Sequence, residues 1–79
     1  MNRAELEAKI LELVSTSYNK DVETLSMDTR IKEDLGGTSV LMVGLVSEIE
    51  NELDVMVQLA DAASFKTIAD LVNKVEELL

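Results

Sequence analysis

Apolar residues recur at helical spacing near the start of the chain. Steps of three or four residues place one set of apolar side chains on a single face of an α-helix, namely Leu6, Ile10, Leu13 and Val14. Asn2 precedes this face as a candidate N-cap, and Glu5, three residues later, is placed to return a hydrogen bond. The pattern predicts a first helix from about Arg3 to Thr16.

Two later stretches show the same spacing. The second predicted helix begins at Thr38 or Ser39 and ends near Leu53, and its apolar face consists of Met42, Leu45, Val46, Ile49 and Leu53. The third begins at Thr67, which can act as an N-cap with Asp70 as its partner. It runs to about Leu78, and its predicted buried stripe is Ile68, Leu71, Val72, Val75 and Leu78.

The segments between these helices have no sustained period. Residues 17–37 form a long first loop, whose scattered apolar residues are expected to pack along the body of the protein: Val22, Leu25, Met27 and Ile31. Residues 54–59 should form an extended linker that leads to a short helical turn near Ala60 to Ser64. No second run of β character is available for pairing. The sequence therefore predicts an all-α fold, a small antiparallel bundle of three main helices plus one short helix.

The composition narrows the range of functions. At 79 residues the chain is expected to form one small domain, residues 1–79. It contains no cysteine and no histidine, which removes disulfides, thiolate metal sites and the commonest general base. The carboxylates are scattered, and so small a chain is expected to offer little concave volume around them. We therefore predict that the protein is not an enzyme and has no metal site.

Charge gives further exclusions. A net charge of −9 argues against binding to nucleic acid or to an anionic membrane surface. No basic residue lies between Lys32 and Lys66, an interval with seven acidic side chains. This acidic interval is either an ordinary solvated surface or a docking face for basic partners. No stretch resembles a signal peptide or is apolar enough to span a bilayer, so a soluble, cytoplasmic and monomeric protein is expected.

The segment LGGTSVLMVGL, residues 35–45, joins a glycine pair to a helix start and raises the question of what Ser39 does. A nucleophilic serine needs a neighbouring base, and no histidine exists. A nucleotide-binding phosphate loop needs a lysine that is missing here. In the plain structural interpretation, Thr38 caps the helix and Ser39 is its first residue. Val40 and Val43 lie off the core stripe near Ser39, either as a contact patch or as ordinary exposed valines.

The longer segment LGGTSVLMVGLVSEIENELDV, residues 35–55, resembles the core of the acyl carrier and peptidyl carrier protein family. That family has an Asp-Leu-Gly-Gly or Asp-Leu-Gly-Ala approach to a modified serine, followed by an amphipathic helix. Here EDLGG stands at 33–37, and Ser39 takes the place of the modified serine. SFKTIADLVNKV at 64–75 resembles the closing segment of the family.

The resemblance implies a covalent cofactor. A partner phosphopantetheinyl transferase would join 4′-phosphopantetheine to Ser39 Oγ, and the arm would hold acyl or aminoacyl groups as thioesters. Enzymes that load and condense those groups would be the other partners. With Leu41 and Met42 at the helix start, the expected partner-contact positions are Thr38, Val40, Val43, Ser47 and Glu48.

Four positions depart from the family pattern. Thr38 stands where fatty-acid carriers have aspartate, Val40 stands where leucine is usual, and Leu41 and Gly44 occupy positions where those carriers present carboxylates. The departures argue against the housekeeping fatty-acid carrier, and the LGG-x-S approach with SVLMVGLVSEI resembles peptidyl carriers or carriers of polyketide pathways. The resemblance thus favours a free-standing carrier of a polyketide, nonribosomal peptide or specialised fatty-acid pathway. The alternative is a small helical interaction domain that is never modified and binds a basic partner through its acidic face.

Overall fold

The main helices enclose one apolar core in a computed structural model that describes all residues from Met1 to Leu79. Four α-helices follow one another along the chain: α1 at Arg3–Tyr18, α2 at Ser39–Leu53, α3 at Leu59–Ala62 and α4 at Ile68–Leu78. Helix α1 packs against both α2 and α4, and α3 packs on α2. The prediction of an all-α bundle with three main helices and one short helix is confirmed.

Capping boxes begin α1 and α4, as the sequence predicts. The Asn2 side chain accepts a hydrogen bond from Glu5 N at 2.8 Å, and the Glu5 carboxylate accepts one from Asn2 N at 3.0 Å. Thr67 and Asp70 form the same reciprocal pair at the start of α4. Each box satisfies two backbone N–H groups that would otherwise be unpaired at the helix start, so both helix starts are fixed by local sequence.

Helix α1 ends two residues later than predicted. Tyr18 is its last residue and is buried, and Asn19 follows in the left-handed conformation with φ 54°. The Asn19 N–H donates to the Ser15 carbonyl, which closes the last turn in the way that left-handed C-caps do. The apolar stripe therefore includes one more residue than the periodicity of Leu6 to Val14 indicates.

The core lies where the helical stripes meet. Ile10, Ile49, Ile68 and Leu71 are fully buried at its centre. On α2 the outer members of the predicted face, Met42 and Leu53, are half-buried at the edge of the core. The predicted burial of Leu78 is wrong, since this side chain is 40% exposed in the last turn of α4, where no other element covers it.

The long first loop contains two short helical turns. A 3₁₀ turn spans Val22–Thr24 and a π-helical turn spans Ile31–Leu35. Ile31 is buried and both Leu25 and Met27 pack partly against the core. Val22 does not, because it lies in the outward 3₁₀ turn and is 44% exposed.

Backbone hydrogen bonds tie this loop to the start of α4. Ile31 N donates to the Lys66 carbonyl at 2.9 Å, and Ile68 N donates to the Thr29 carbonyl at 3.0 Å. Ala69 N also donates to the Met27 carbonyl at 3.0 Å. Because these bonds join residues far apart in sequence, they hold the end of the loop in place where it leads into α2.

The linker predicted at residues 54–59 is extended only over 55–58, because Asp54 is the left-handed C-cap of α2 and Leu59 begins α3. Val55 and Val57 are buried and Met56 between them is exposed, which is the alternation expected of an extended chain on an apolar surface. The short helix that follows is Leu59–Ala62, so it begins and ends slightly earlier than predicted. No helix of the protein is long and apolar enough to cross a membrane.

Candidate functional site

Ser39 is the first residue of α2, and its side chain is exposed. It follows directly on the glycine pair and Thr38, at the point where the tethered first loop ends. Neither histidine nor cysteine exists in the chain, so no conventional base activates this hydroxyl. The geometry presents Ser39 to solvent without equipping it as a catalyst.

The glycine pair forms a turn that other residues adopt only with strain. Gly36 has φ 64° and ψ −147°, and Gly37 has φ 82°. The first of these combinations is essentially restricted to glycine. A Cβ on Gly37 would overlap the Leu41 side chain, so the second glycine also lets the first turn of α2 close over the loop. The turn thereby fixes the direction in which Ser39 leaves the loop.

An ion pair stabilises the turn that precedes the glycines. The Asp34 carboxylate accepts hydrogen bonds from the Arg30 backbone N–H at 2.8 Å and from Arg30 Nη2 at 3.0 Å. These bonds, the side-chain one foremost, lower the pKa of Asp34 below its ordinary value. Asp34 therefore closes the π-helical turn and is not free to meet a partner, a role that the sequence analysis missed.

The start of α2 lacks a side-chain cap. Thr38 occupies the N-cap position with extended angles, φ −101° and ψ 171°, but its side chain makes no capping hydrogen bond. The structural prediction that Thr38 caps this helix is therefore wrong for its side chain, although its backbone is in place. The first turn also contains no acidic residue. Unpaired N–H groups and the helix dipole make this end favourable for an anion beside Ser39.

The predicted partner-contact positions all lie on the exposed side of α2. Thr38, Val40, Val43, Ser47 and Glu48 are exposed, Val40 by 73% and Val43 by 44%. The buried stripe occupies the opposite side of the helix. From residue 39 to residue 47 the helix carries no charged side chain, so the surface next to Ser39 is apolar and uncharged.

The acidic interval is not one continuous free surface. Besides Asp34, two of its carboxylates form ion pairs within the chain: Glu52 with Lys9 at 3.7 Å and Asp61 with Lys74 at 3.6 Å. The carboxylates without an ion pair are Glu33, Glu48, Glu50 and Asp54. Three of these lie on the second half of α2 or just after it, away from the uncharged stretch that follows Ser39.

A cavity of about 550 Å³ opens beside Ser39. Its walls come from the end of α1, the first loop, the start of α2 and the segment around α3, and its buried lining residues are Tyr18, Ile31, Ala62 and Phe65. The volume lies within the range of small-molecule sites. The expectation that so small a chain offers little concave volume is therefore wrong at this place, although no acidic residue lines this cavity.

Taken together, the site combines three features. It has an exposed hydroxyl on a fixed helix start, unpaired backbone donors that favour an anion, and an apolar cavity alongside. No group of acidic, histidine or cysteine side chains could hold a metal ion. The residues fit a phosphate ester on Ser39 better than they fit a reaction centre.

Comparison with known proteins gives the same reading. A family model described as "Phosphopantetheine attachment site" matches residues 8–75. The acyl carrier protein of Rickettsia bellii (strain RML369-C) is 36% identical over 72 residues, covering 91% of this chain and 84% of that protein. The acyl carrier protein of Onion yellows phytoplasma (strain OY-M) is 39% identical over 64 residues, covering 81% of this chain and 84% of that protein. The chain belongs to the family of carrier proteins that bear a phosphopantetheine attachment site, and it is a carrier and not an enzyme.

Proposed function

We propose that Ser39 is the residue to which 4′-phosphopantetheine is attached. The observation that supports this most directly is the exposed Ser39 hydroxyl at the uncapped start of α2. Ser39 comes two residues after the glycine turn and is exposed, so a modifying enzyme can reach it. Ser47, on the same helix, has no comparable position because it lies two turns inside α2.

The contribution of the chain to attachment is limited to presentation. Ser39 Oγ forms a bond to the phosphorus of coenzyme A that carries the pantetheine arm, the phosphoanhydride bond breaks, and adenosine bisphosphate leaves. The serine proton goes to a base of the transferase, since this chain has none in place. The free N–H groups at the start of α2 then stabilise the negative charge of the phosphodiester. When bound, the cofactor supplies a thiol that holds acyl groups as thioesters.

Intact-mass measurement tests this proposal. The protein is incubated with coenzyme A, Mg²⁺ and a broad-specificity phosphopantetheinyl transferase. We expect one added phosphopantetheine in the wild type and in the matched control Ser47→Ala, and none in Ser39→Ala. Modification of Ser39→Ala would refute the assignment. No addition to the wild type with several transferases would favour the unmodified interaction domain.

We further propose that the exposed side of α2 next to Ser39 is the partner-contact surface. It consists of Thr38, Val40, Val43, Ser47 and Glu48. Two exposed valines and no charge up to residue 47 favour an apolar patch on the partner. The carboxylates at Glu48 and beyond would mainly steer the encounter, because exposed charges contribute little affinity.

The matched pair Val43→Asp and Val22→Asp tests this surface. Both valines are 44% exposed, but Val22 lies in the first loop and outside the proposed surface. We expect Val43→Asp to lower the rate of phosphopantetheine transfer and Val22→Asp to leave it unchanged, with the same helical circular dichroism in both. Equal effects of the two variants would remove Val43 from the contact surface, and loss of helicity in Val43→Asp alone would place it in the core.

Residues 1–79 are proposed to act as one free-standing, monomeric carrier domain in the cytoplasm. The matched region makes up 84% of each of the two relatives described above, which are thus close to this chain in length. The uncharged start of α2, with Thr38, Leu41 and Gly44, supports a polyketide, nonribosomal peptide or specialised fatty-acid pathway. Its partners would be the enzymes that load and condense acyl or aminoacyl groups. Mass analysis of the protein isolated from its own cells would identify the cargo, and only saturated fatty-acyl groups would contradict a specialised pathway.

A further inference from the structure

Tyr18 is the only buried residue with a polar side-chain group among those that line the cavity beside Ser39. It is the last residue of α1, is only 7% exposed and lines the cavity. Its ring lies under the glycine turn, with Cε2 3.5 Å from where a Cβ on Gly37 would be. The position is therefore both close to the start of α2 and fixed by packing.

The Tyr18 hydroxyl has no hydrogen-bond partner within the chain. Burial raises the pKa of Tyr18, and no hydrogen bond contributes to that shift. Every side-chain oxygen that is inaccessible to solvent has a hydrogen-bond partner. Since Tyr18 Oη has no partner, it must keep some solvent-accessible surface. Tyr18 lines the cavity, and the proposal below assigns the accessible side of its hydroxyl to that cavity.

Every other buried residue of the cavity wall is apolar. These residues are Ile31, Ala62 and Phe65, whereas the polar lining residues Lys32, Thr38 and Ser39 are all exposed. A saturated hydrocarbon chain that fills the cavity would cover the Tyr18 hydroxyl without giving it an acceptor. An unpaired buried donor carries a free-energy penalty that a paired one does not.

We propose that the cavity prefers acyl cargo that bears an oxygen on its chain, a keto or hydroxyl group, which accepts a hydrogen bond from Tyr18 Oη. This inference rests on the proposed function, because the cargo reaches the cavity from Ser39. Amide oxygens of the phosphopantetheine arm offer the same acceptor chemistry, and the test separates them from the cargo.

Tyr18 is the only tyrosine and the chain has no tryptophan, so it gives an unambiguous spectroscopic signal. The ring carbon that carries the hydroxyl is labelled with carbon-13, and its resonance is recorded in four states: unmodified, with the free arm, with a saturated acyl chain, and with the β-keto analogue of equal length. We expect a distinct shift only with the β-keto cargo. A shift that is complete with the free arm would assign the hydrogen bond to the arm, and no shift in any modified state would leave Tyr18 without a ligand role. Both results overturn the proposal.

The variant Tyr18→Phe gives a second measurement while keeping the ring in the core. Cleavage of each thioester by hydroxylamine reports how well the cavity shelters its cargo. We expect the β-keto thioester to be cleaved about fivefold faster in the variant, the size of one ordinary hydrogen bond. The saturated thioester should be cleaved no faster than in the wild type, because the variant removes the donor that a saturated chain would leave unpaired. Equal acceleration of both would reduce Tyr18 to a packing role and overturn the proposal. Failure to attach the arm would appear earlier, in the intact mass, and would count against the proposed function instead.

Discussion

Replacing Gly44 by alanine is expected to stabilise the fold. Gly44 lies inside α2 and is exposed, and a Cβ built there meets no atom within 4 Å. Alanine therefore adds no steric overlap and removes the helix-propensity penalty of glycine, about 0.8–1.0 kcal/mol. For a domain of this size, about 1 kcal/mol corresponds to a rise in Tm of about 4–8 °C.

The other two glycines are expected to respond in the opposite direction. Gly36→Ala would force a non-glycine residue into φ 64° and ψ −147°, at a cost of about 1–3 kcal/mol. Gly37→Ala should also be destabilising, because φ 82° is strained for alanine, whereas the overlap with the end of the flexible Leu41 side chain can be relieved by a change of rotamer. All three variants replace glycine by alanine, so the opposite signs of their effects on the free energy of unfolding come from the local backbone alone.

Urea unfolding followed by far-ultraviolet circular dichroism measures these differences. Fluorescence of Tyr18 gives a second probe of the same transition, and agreement of the two probes checks two-state behaviour. If Gly44→Ala were neutral or destabilising, or if Gly36→Ala were neutral, the reasoning from φ, ψ and open space would be refuted. A change in the slope of the free energy of unfolding against urea concentration would instead point to a change in the compactness of the native or denatured state.

The stabilisation expected of Gly44→Ala also has a consequence for partner docking. Since the fold gains nothing from glycine here, its place beside Val40 and Val43 favours close approach of a partner backbone. We therefore expect Gly44→Ala to slow phosphopantetheine transfer although it is more stable, and Gly44→Leu to slow it further. Unchanged transfer in both variants would remove Gly44 from the contact surface.

Two further outcomes follow from the helix caps. Thr38→Ala should change the free energy of unfolding very little, because the Thr38 side chain makes no capping hydrogen bond. Thr67→Ala should lower it by about 1 kcal/mol, because that side chain does cap its helix. Thermal melts of the two variants test this difference, and equal losses of stability would contradict it. Two backbone N–H groups that donate to the Asp70 carboxylate hold its pKa below the ordinary value of 3.8. Its charged form therefore stabilises the fold above that pH, and the benefit disappears as the pH falls through the folded-state pKa. The difference in free energy of unfolding between wild type and Asp70→Asn should be constant near neutral pH and shrink below about pH 4. Urea unfolding at a series of pH values measures this difference. A difference that grows in acid would refute the stabilising role given to the charged Asp70 carboxylate.

The helices and their capping boxes could be predicted because their causes are local. Asn2 with Glu5, and Thr67 with Asp70, act across three residues, and the apolar stripes repeat every three or four. Such patterns are present in the sequence whatever the rest of the chain does. The family resemblance at residues 35–55 likewise depends on contiguous residues, and the match over residues 8–75 confirms it.

The features that were missed depend on contacts between distant segments. The cavity forms where α1, the first loop and α3 meet α2, and no periodicity along one segment indicates such a space. Tyr18 extends α1 because the core accepts its ring, which again depends on the other helices. Thr38 shows the remaining limit: a suitable residue at a suitable position predicts a capping bond, but the Thr38 side chain makes none.

Hydrogen bonds link the loop that presents Ser39 to the far end of the chain. Three backbone hydrogen bonds hold the first loop, around Thr29, against the start of α4, and the Thr67 and Asp70 capping box fixes that start. The buried Thr29 hydroxyl also accepts a hydrogen bond from Ser26 N at 2.8 Å within the loop. The direction in which Ser39 is presented therefore depends on residues more than twenty-five positions away, through hydrogen bonds that contain no part of the attachment motif. A carrier needs this rigidity only at the base of its arm, because the arm itself supplies the reach. It follows that loss of the α4 cap should impair the presentation of Ser39, although Thr67 and Asp70 lie far from Ser39 in sequence.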